Sequence, residues 1–317
     1  MTSTLPQEVQ DAFERFITCE FTTVDAAKQP ITWPVTPYYR KGGVTIDVTT
    51  GLGYPKKADD ARGHPSVALL FSDPTGSGLE RDLRVLVQGT ATVEDEDLER
   101  NAERYLRESG EKLPATRKMH PPKPLRSLFN FYYARIYIKV RPERVFVWPE
   151  GDLSEAPQVH GAHLEEVRSG HSEEPPEEHG RPAGGTSVWD DRMRFLQEHE
   201  TGVLSWVGPD GFPIAVRVPF AADPSRREIR IEAEPAGLPV LEGRACLTVH
   251  RHAPDFTWQR NMQVRGNLVR SEGGLRLSPR KVVGGFEIPQ GLGKFRDFAR
   301  KGPRFYRTYR RRLRERR

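Results

Sequence analysis

The chain contains 317 residues, of which 36% are hydrophobic and 29% are charged. This composition suits a globular protein of two domains, since one domain usually takes about 100–200 residues. Two cysteines, Cys19 and Cys246, exclude a fold built on a disulfide framework. No apolar run approaches the roughly 20 residues that span a bilayer, and the N-terminal residues lack the layout of a secretory signal. We therefore expect a cytoplasmic protein with no membrane partner.

The net charge of +5 is concentrated in one short segment. Residues 301–317 contain nine basic residues and one acid, so this segment carries +8 while the rest of the chain carries −3. Aromatic residues alternate with the arginines, which favours a terminal helix that docks on the second half of the protein. Nucleic-acid binding through 301–317 is the less favoured alternative.

Residues 1–150 form the first of three zones along the chain. A helix is expected around Val9–Phe16, and short runs rich in Val, Thr and Ile follow, separated by Gly and Pro turns. The predicted strands are Glu20–Val24, Pro30–Val35, Thr45–Thr50, Val67–Phe71, Arg84–Val93, Ala134–Val140 and Arg144–Trp148, with a second helix at Asp95–Glu108. This pattern predicts a fold that is mainly β with peripheral helices, built as a small barrel.

Residues 151–187 differ from both neighbouring zones. They contain few large apolar residues and many Pro, Gly, Glu and His. Such a segment cannot bury enough surface to order itself, which predicts a disordered acidic linker. The β-type pattern resumes in the third zone, residues 188–317.

The first and third zones share an internal repeat. Three segments recur in the same order, at offsets of 183, 179 and 177 residues. The matched pairs are Pro30–Val35 with Pro213–Val218, Ser66–Leu70 with Ala245–Val249, and Val87–Ala91 with Val264–Leu268. A slowly drifting offset is typical of an old tandem duplication with insertions in its loops.

A candidate phosphate site lies in the first copy. The hydroxyls of Thr49 and Thr50, the turn 51–53 and the cations Lys56 and Lys57 fall within nine residues. Clustered cations, hydroxyls and free backbone N–H groups are what a phosphate needs. The simpler alternative is that the two lysines only solvate the start of a surface helix.

The run Pro30–Phe71 also resembles the front half of the pyridoxamine 5'-phosphate oxidase-like, FMN-binding split-barrel family. It contains a Pro-Val-Thr-Pro stretch, a glycine turn at 42–43, and a loop lysine, Lys57, eight residues before Pro65. The resemblance extends over about residues 10–150 and, more weakly, over 190–290.

The resemblance implies two tandem split β-barrel domains that form an internal pseudo-dimer with a flavin in the groove between them. The first barrel keeps the cofactor-phosphate site, whereas Pro235 and Ala236 stand at the two lysine positions of the degenerate second barrel. The implied function is a flavoprotein oxidoreductase that uses FMN on a small-molecule substrate. No residue is identifiable as catalytic, and association into a homo-oligomer is left open.

The predicted cofactor contacts combine this resemblance with the phosphate chemistry. They are Trp33, Pro34, Thr49, Thr50, Lys56, Lys57, Arg84, Gln88 and Trp148. For the two tryptophans, packing in the core is the competing interpretation. For Gln88 the competing interpretation is a buried amide that forms its hydrogen bonds within the protein.

Three alternatives stay open. Asp60 stands where the family often has Asn. This difference leaves open the alternative that a deazaflavin, coenzyme F420, binds in place of FMN. A haem-binding role would need an axial ligand, for which His64 is the candidate. A third alternative is a non-catalytic binding module that uses its basic tail. His250 and His252 share one strand face, but no third ligand lies near them in sequence, so no metal site is predicted and both are expected to be solvated.

Overall fold

The computed structural model describes residues 5–120, 122, 126–161, 193–284 and 293–316. The protein is mainly β, as predicted, with two sheets and short helices around them. The helices are α1 (Gln7–Arg15), α2 (Lys56–Gly63), α3 (Leu98–Lys112), α4 (Asn130–Tyr133), α5 (Met193–Gln197) and α6 (Gly293–Arg314). Within this part of the chain, no helix is both long and apolar enough to cross a membrane.

The first sheet is curled and has two free ends. Its strand order is β2-β1-β4-β5-β6-β3, and β7 pairs with β6 at one side. The strands are β1 (Cys19–Val24), β2 (Pro30–Val35), β3 (Ile46–Gly51), β4 (Ser66–Phe71), β5 (Arg84–Glu94), β6 (Arg135–Trp148) and β7 (Gln158–Gly161). β2 and β3 stand at opposite ends of this order, and a bridge between Tyr38 and Asp47 brings the two ends together, so the sheet forms a barrel that is split between them.

The second sheet is a closed barrel with the same order of strands. It consists of β8 (Thr201–Val207), β9 (Pro213–Asp223), β10 (Glu228–Ile231), β11 (Gly243–His252), β12 (Gln259–Ser271) and β13 (Gly274–Gly284). The order β9-β8-β11-β12-β13-β10 repeats that of the first sheet position by position, and pairing of β10 with β9 closes the ring. The two sheets are therefore consistent with split β-barrel domains.

Two local features recur in both sheets. Val24 pairs with Pro30 in the first hairpin and Val207 pairs with Pro213 in the second, so the offset of 183 holds for both strands. A bulge also recurs between the long strands.

At this bulge Gly89 lies opposite Pro142, and Gly266 lies opposite Pro279. With these glycines as anchors, Val67 corresponds to Ala245, one residue away from the predicted match. The tandem origin itself stays a prediction.

The two sheets pack on each other through one buried apolar cluster. Its members include Leu70, Leu86, Phe146 and Trp148 from the first sheet and Leu204, Ala215, Val216 and Val249 from the second. Polar contacts cross the same interface, since Thr32 Oγ1 lies 2.7 Å from Ser205 Oγ and Gln263 donates to the Thr32 carbonyl at 2.9 Å. A separate cluster fills the first barrel beneath α1.

Two predictions about the connecting and terminal segments are wrong. Residues 151–161 are ordered, because Leu153 is buried in the shared cluster and β7 pairs with β6. The remainder of the predicted linker, 162–187, lies outside the described residues. Helix α6 packs on the first sheet, not the second, since Tyr309 and Leu313 join the core cluster of the first barrel.

Candidate functional site

The split in the first barrel lies between the strand that carries Trp33 and Pro34 and the strand that carries Thr49 and Thr50. Among the described residues, the pairing between the β2 segment and β3 is limited to one bridge, in which Tyr38 and Asp47 exchange backbone hydrogen bonds of 2.7 and 2.9 Å. Continuing this antiparallel alignment past the bridge places Pro34 across from Gly51. Proline has no N–H to offer a partner strand, which suits an edge that stays open. On this alignment Trp33 and Pro34 lie on the strand edge that faces β3, and both side chains are partly exposed.

Two cations lie near each other at the end of β3 that borders the split. Arg135 begins β6 opposite Gly51 and is 95% buried. Its guanidinium stacks 3.7 Å from the ring centroid of Tyr105 and 4.2 Å from that of Tyr132, and it donates to the Tyr54 hydroxyl at 3.1 Å. Its Nε is buried without a hydrogen-bond partner.

Lys57, in the first turn of α2, is the second cation. Burial, and then the positive charge of Arg135, lower the pKa of Lys57 to about 8. In the described part of the chain neither cation forms an ion pair with a carboxylate, although α2 itself carries two. A pair of like charges in this environment is stabilised by an anion bound between or beside them.

The start of α2 adds to the positive field. The helix begins after Pro55, and no side chain caps its first N–H groups. Anions are favoured at such a terminus, because the helix dipole and the unpaired N–H groups both attract negative charge.

Lys56 has a different role from the one predicted. Its ammonium lies 2.9 Å from Asp60 and 3.8 Å from Asp25, and its side chain is 53% exposed. Burial raises the pKa of Asp60, and the hydrogen bond from Lys56 opposes this rise. The carboxylate that departs from the family pattern is therefore matched by Lys56 and does not face the cation pair.

The turn 51–54 does not offer the free backbone donors that were predicted. The N–H groups of Leu52 and Gly53 donate to the carbonyls of Ala134 and Phe131 at 2.8 and 2.9 Å, and Tyr54 N–H donates to Gly51. The Thr50 hydroxyl donates to the Tyr54 carbonyl at 2.9 Å. This leaves Thr49, which is partly exposed on β3, as the threonine with a side chain available to a ligand.

Three of the predicted contact residues lie away from the split. Arg84 and Trp148 pair at the end of β6 opposite to Arg135. Arg84 donates to the Arg217 carbonyl at 3.1 Å, and Trp148 is 98% buried in the core between the sheets. Gln88 is also buried and donates to the Pro213 carbonyl at 3.0 Å. The geometry of all three supports the packing and interface interpretation.

Several residues of the site were missed in the sequence. Arg135 begins β6, and the tyrosines around its guanidinium lie in the segment 129–133 and on α3. The signal that was available in the sequence is an arginine that closely follows four aromatic residues. Helix α6 contributes Phe305, whose ring lies 5.3 Å from Tyr54 and 5.9 Å from Phe131. Arg312 forms an ion pair with Asp59, so the terminal helix covers the outer side of the turn.

A large surface cavity lies elsewhere, between α3 and the edge of β3. Its volume is about 1070 Å³. Arg104 crosses it with ion pairs to Asp47 at 2.5 Å and to Glu108 at 2.9 Å. Because charges of both signs line this cavity and neutralise each other, and because no predicted contact residue borders it, we do not place the site there.

The histidines are placed differently from expectation. His250 and His252 are 96% and 94% buried, so the prediction that they are solvated is wrong. His64, the alternative haem ligand, follows α2, and burial lowers its pKa.

Comparison with known proteins gives weak likenesses. No family model and no curated protein matches the chain. Among solved structures, a candidate pyridoxamine 5'-phosphate oxidase from Listeria innocua has a TM-score of 0.33 at 20% identity and covers 46% of this chain and 99% of its own. An F420 reductase has a TM-score of 0.33 at 17% identity, covering 44% and 98%. A FAD-binding protein from Mesorhizobium loti has a TM-score of 0.32 at 13% identity, covering 45% and 92%. At these scores the likenesses carry no argument about function, which rests on the residues of this chain.

Proposed function

We propose that the protein binds the phosphate of a flavin-type cofactor at Lys57 and Arg135 and works as a flavin-dependent oxidoreductase on a small organic substrate. The observation that carries the proposal is the cation pair without a carboxylate at the end of β3 that borders the split. Burying two like charges together is costly, and a phosphate dianion offsets that cost through charge-assisted hydrogen bonds.

The chain's own residues have distinct parts in this proposal. Lys57 supplies a point charge, and the uncapped first turn of α2 supplies backbone donors. Arg135 is held in place by its two tyrosine neighbours, so its unpartnered Nε keeps a fixed position. Trp33 and Pro34, which are partly exposed on the β2 edge, are the residues that would contact the ring of a bound cofactor. When bound, that ring supplies the electron transfer, while the protein supplies position and electrostatics.

FMN is the first choice of cofactor, and coenzyme F420 is the alternative. Both present a phosphate group to the same cations. The pairing of Asp60 with Lys56 removes the main objection to FMN, because the carboxylate does not compete for the phosphate position.

The test is a fluorescence titration of the full-length protein with FMN and with coenzyme F420, comparing Lys57→Gln with Lys56→Gln. Loss of one charge-assisted hydrogen bond costs about 1.5–3 kcal/mol, so Lys57→Gln should bind about 10- to 150-fold more weakly. Lys56→Gln is the matched control, because the same change is made one residue away on a lysine that already has carboxylate partners.

Three results are informative. Weaker cofactor binding in Lys57→Gln but not in Lys56→Gln supports the cation pair. The ligand that binds more tightly to the wild type identifies the cofactor. Equal weakening in both variants contradicts the assigned site. Failure of the folded wild-type protein to bind either ligand removes the redox proposal.

A further inference from the structure

Three metal-ligating side chains meet between the two sheets. His250 and His252 are two residues apart on β11 and share one strand face, and Asp73 follows the end of β4 in the first sheet. One ligand atom from each lies within 4.8 Å of the others. The third ligand was invisible in the sequence, because it comes from the other sheet.

The hydrogen-bond partner of His250 fixes which of its nitrogens carries a proton. Nε2 lies 2.7 Å from Glu20 Oε1, and a carboxylate can only accept there. Arg217 also lies 3.1 Å from Nε2, but its Nη2 has its own acceptor in Glu20 at 2.7 Å. In the neutral imidazole Nδ1 of His250 therefore carries the lone pair, and this nitrogen is buried without a hydrogen-bond partner.

His252 is oriented by the backbone in the complementary way. Its Nδ1 lies 2.9 Å from the carbonyl oxygen of Ala253, which can only accept, so Nδ1 carries the proton. Nε2 is left with a lone pair. The Thr18 hydroxyl lies 3.1 Å from this nitrogen and is the contact that an ion would displace.

Asp73 presents one carboxylate oxygen to both lone pairs. Its Oδ1 accepts the Thr75 N–H at 3.1 Å, while Oδ2 lies 3.7 Å from Nδ1 of His250 and 3.6 Å from Nε2 of His252. These distances are too long for hydrogen bonds. They are close to the roughly 3.4 Å that separates two ligand atoms on a tetrahedral zinc ion with bonds of about 2.0–2.2 Å.

We propose that Asp73, His250 and His252 bind a divalent transition-metal ion, zinc in the first place, that clamps the second barrel to the first. The three ligand atoms lie within 4.8 Å of one another, and a cation between them would offset the repulsion between the carboxylate and the two imidazole lone pairs. The partners behind them fit as well, since ligating histidines usually donate their other N–H to a carboxylate or a backbone carbonyl, here Glu20 and Ala253. Two imidazoles and a carboxylate are donors that zinc accepts.

The test is zinc titration calorimetry of chelator-treated full-length protein, together with the metal content per chain after gel filtration. The variants are Asp73→Asn and His252→Gln, and His171→Gln is the control, because the histidine-rich segment 162–187 offers competing nitrogens. We expect one zinc ion per chain in the wild type and in the control. Removing a residue that only hydrogen-bonds to a metal ligand already lowers metal affinity by about 10- to 100-fold. We therefore expect zinc to bind more than about 100-fold more weakly when a ligand itself is removed.

Thermal unfolding gives a second readout. Zinc should raise the unfolding midpoint of the wild type, because it binds the folded state, and should leave that of Asp73→Asn unchanged. Asp73→Asn keeps the shape of a partly exposed side chain, so it is expected to fold, and circular dichroism checks this. No zinc binding by the wild type, or uptake that persists in Asp73→Asn and His252→Gln, overturns the proposal.

Discussion

The buried ion pair between Glu20 and Arg217 joins the two sheets, and its removal gives a sharp stability prediction. Glu20 is fully buried, and its carboxylate accepts from Arg217 at 2.7 Å and from the Ser72 hydroxyl at 3.0 Å. Arg217→Met keeps much of the side-chain volume but leaves this carboxylate without its main countercharge. Breaking a buried pair from one side costs about 3–5 kcal/mol of unfolding free energy.

The assay is urea unfolding at constant pH in the presence of a chelator, followed by tryptophan fluorescence. Arg270→Met is the matched control, because Arg270 also lies 2.7 Å from a carboxylate, that of Glu234, but both side chains are about half exposed. We expect no measurable loss in the control, since water screens that pair. The double variant Glu20→Gln with Arg217→Met should recover most of the lost stability, because no unpaired charge remains. If Arg217→Met loses no more unfolding free energy than Arg270→Met does, the reasoning is refuted.

Three further predictions concern the site, the bulge and the terminal helix. Lys57 loses its proton as the pH rises through about 8, while the phosphate of FMN becomes a dianion above about pH 6, so FMN affinity measured by fluorescence should be highest between about pH 6 and 8 and fall above pH 8. The fall should be absent in Lys57→Gln, and a fall of equal size there would contradict the assignment. A Cβ at Gly89 or Gly266 would lie 2.2 or 2.1 Å from a backbone carbonyl oxygen. Either alanine variant should therefore lose about 1–3 kcal/mol of unfolding free energy, measured by urea unfolding. An unchanged stability at one of the two positions would mean that the bulges differ. Removing α6 uncovers the apolar surface under Tyr309 and Leu313, so binding of a hydrophobic dye should rise, and unchanged dye binding would contradict the docking of this helix.

Local features of the fold were predictable from the sequence. The hairpin at Pro30 and its repeat at Pro213 have one register, because a short turn fixes which residues of two strands pair. The match at β4 was wrong by one residue, because the segments that join β4 to β5 and β11 to β12 differ in length and no short turn fixes the alignment there.

Contacts between distant segments were not predictable in the same way. Lys57 was predicted because the loop lysine stands within a recognisable motif. Arg135 was missed, because it reaches the site only through the pairing of β6 with β3. Asp73 reaches His250 only through the packing of one sheet on the other. The basic segment 301–317 was likewise assigned to the wrong barrel. Its sequence shows that one helix face is apolar, but not which barrel that face packs against.

The two barrels differ in how they are closed. Both sheets share one strand order, but the second is closed by pairing of β9 with β10, while the equivalent β2 and β3 meet only at the Tyr38 bridge. The carbonyl of Thr32 on the edge of β2 accepts hydrogen bonds from Gln263 and Thr248 of the second barrel, at 2.9 and 3.0 Å. The split occurs in the barrel that also holds Lys57 and Arg135, which form no ion pair with a carboxylate among the described residues. On the proposed function, the split and the two cations belong to one ligand site, and the second barrel supports it as a closed scaffold.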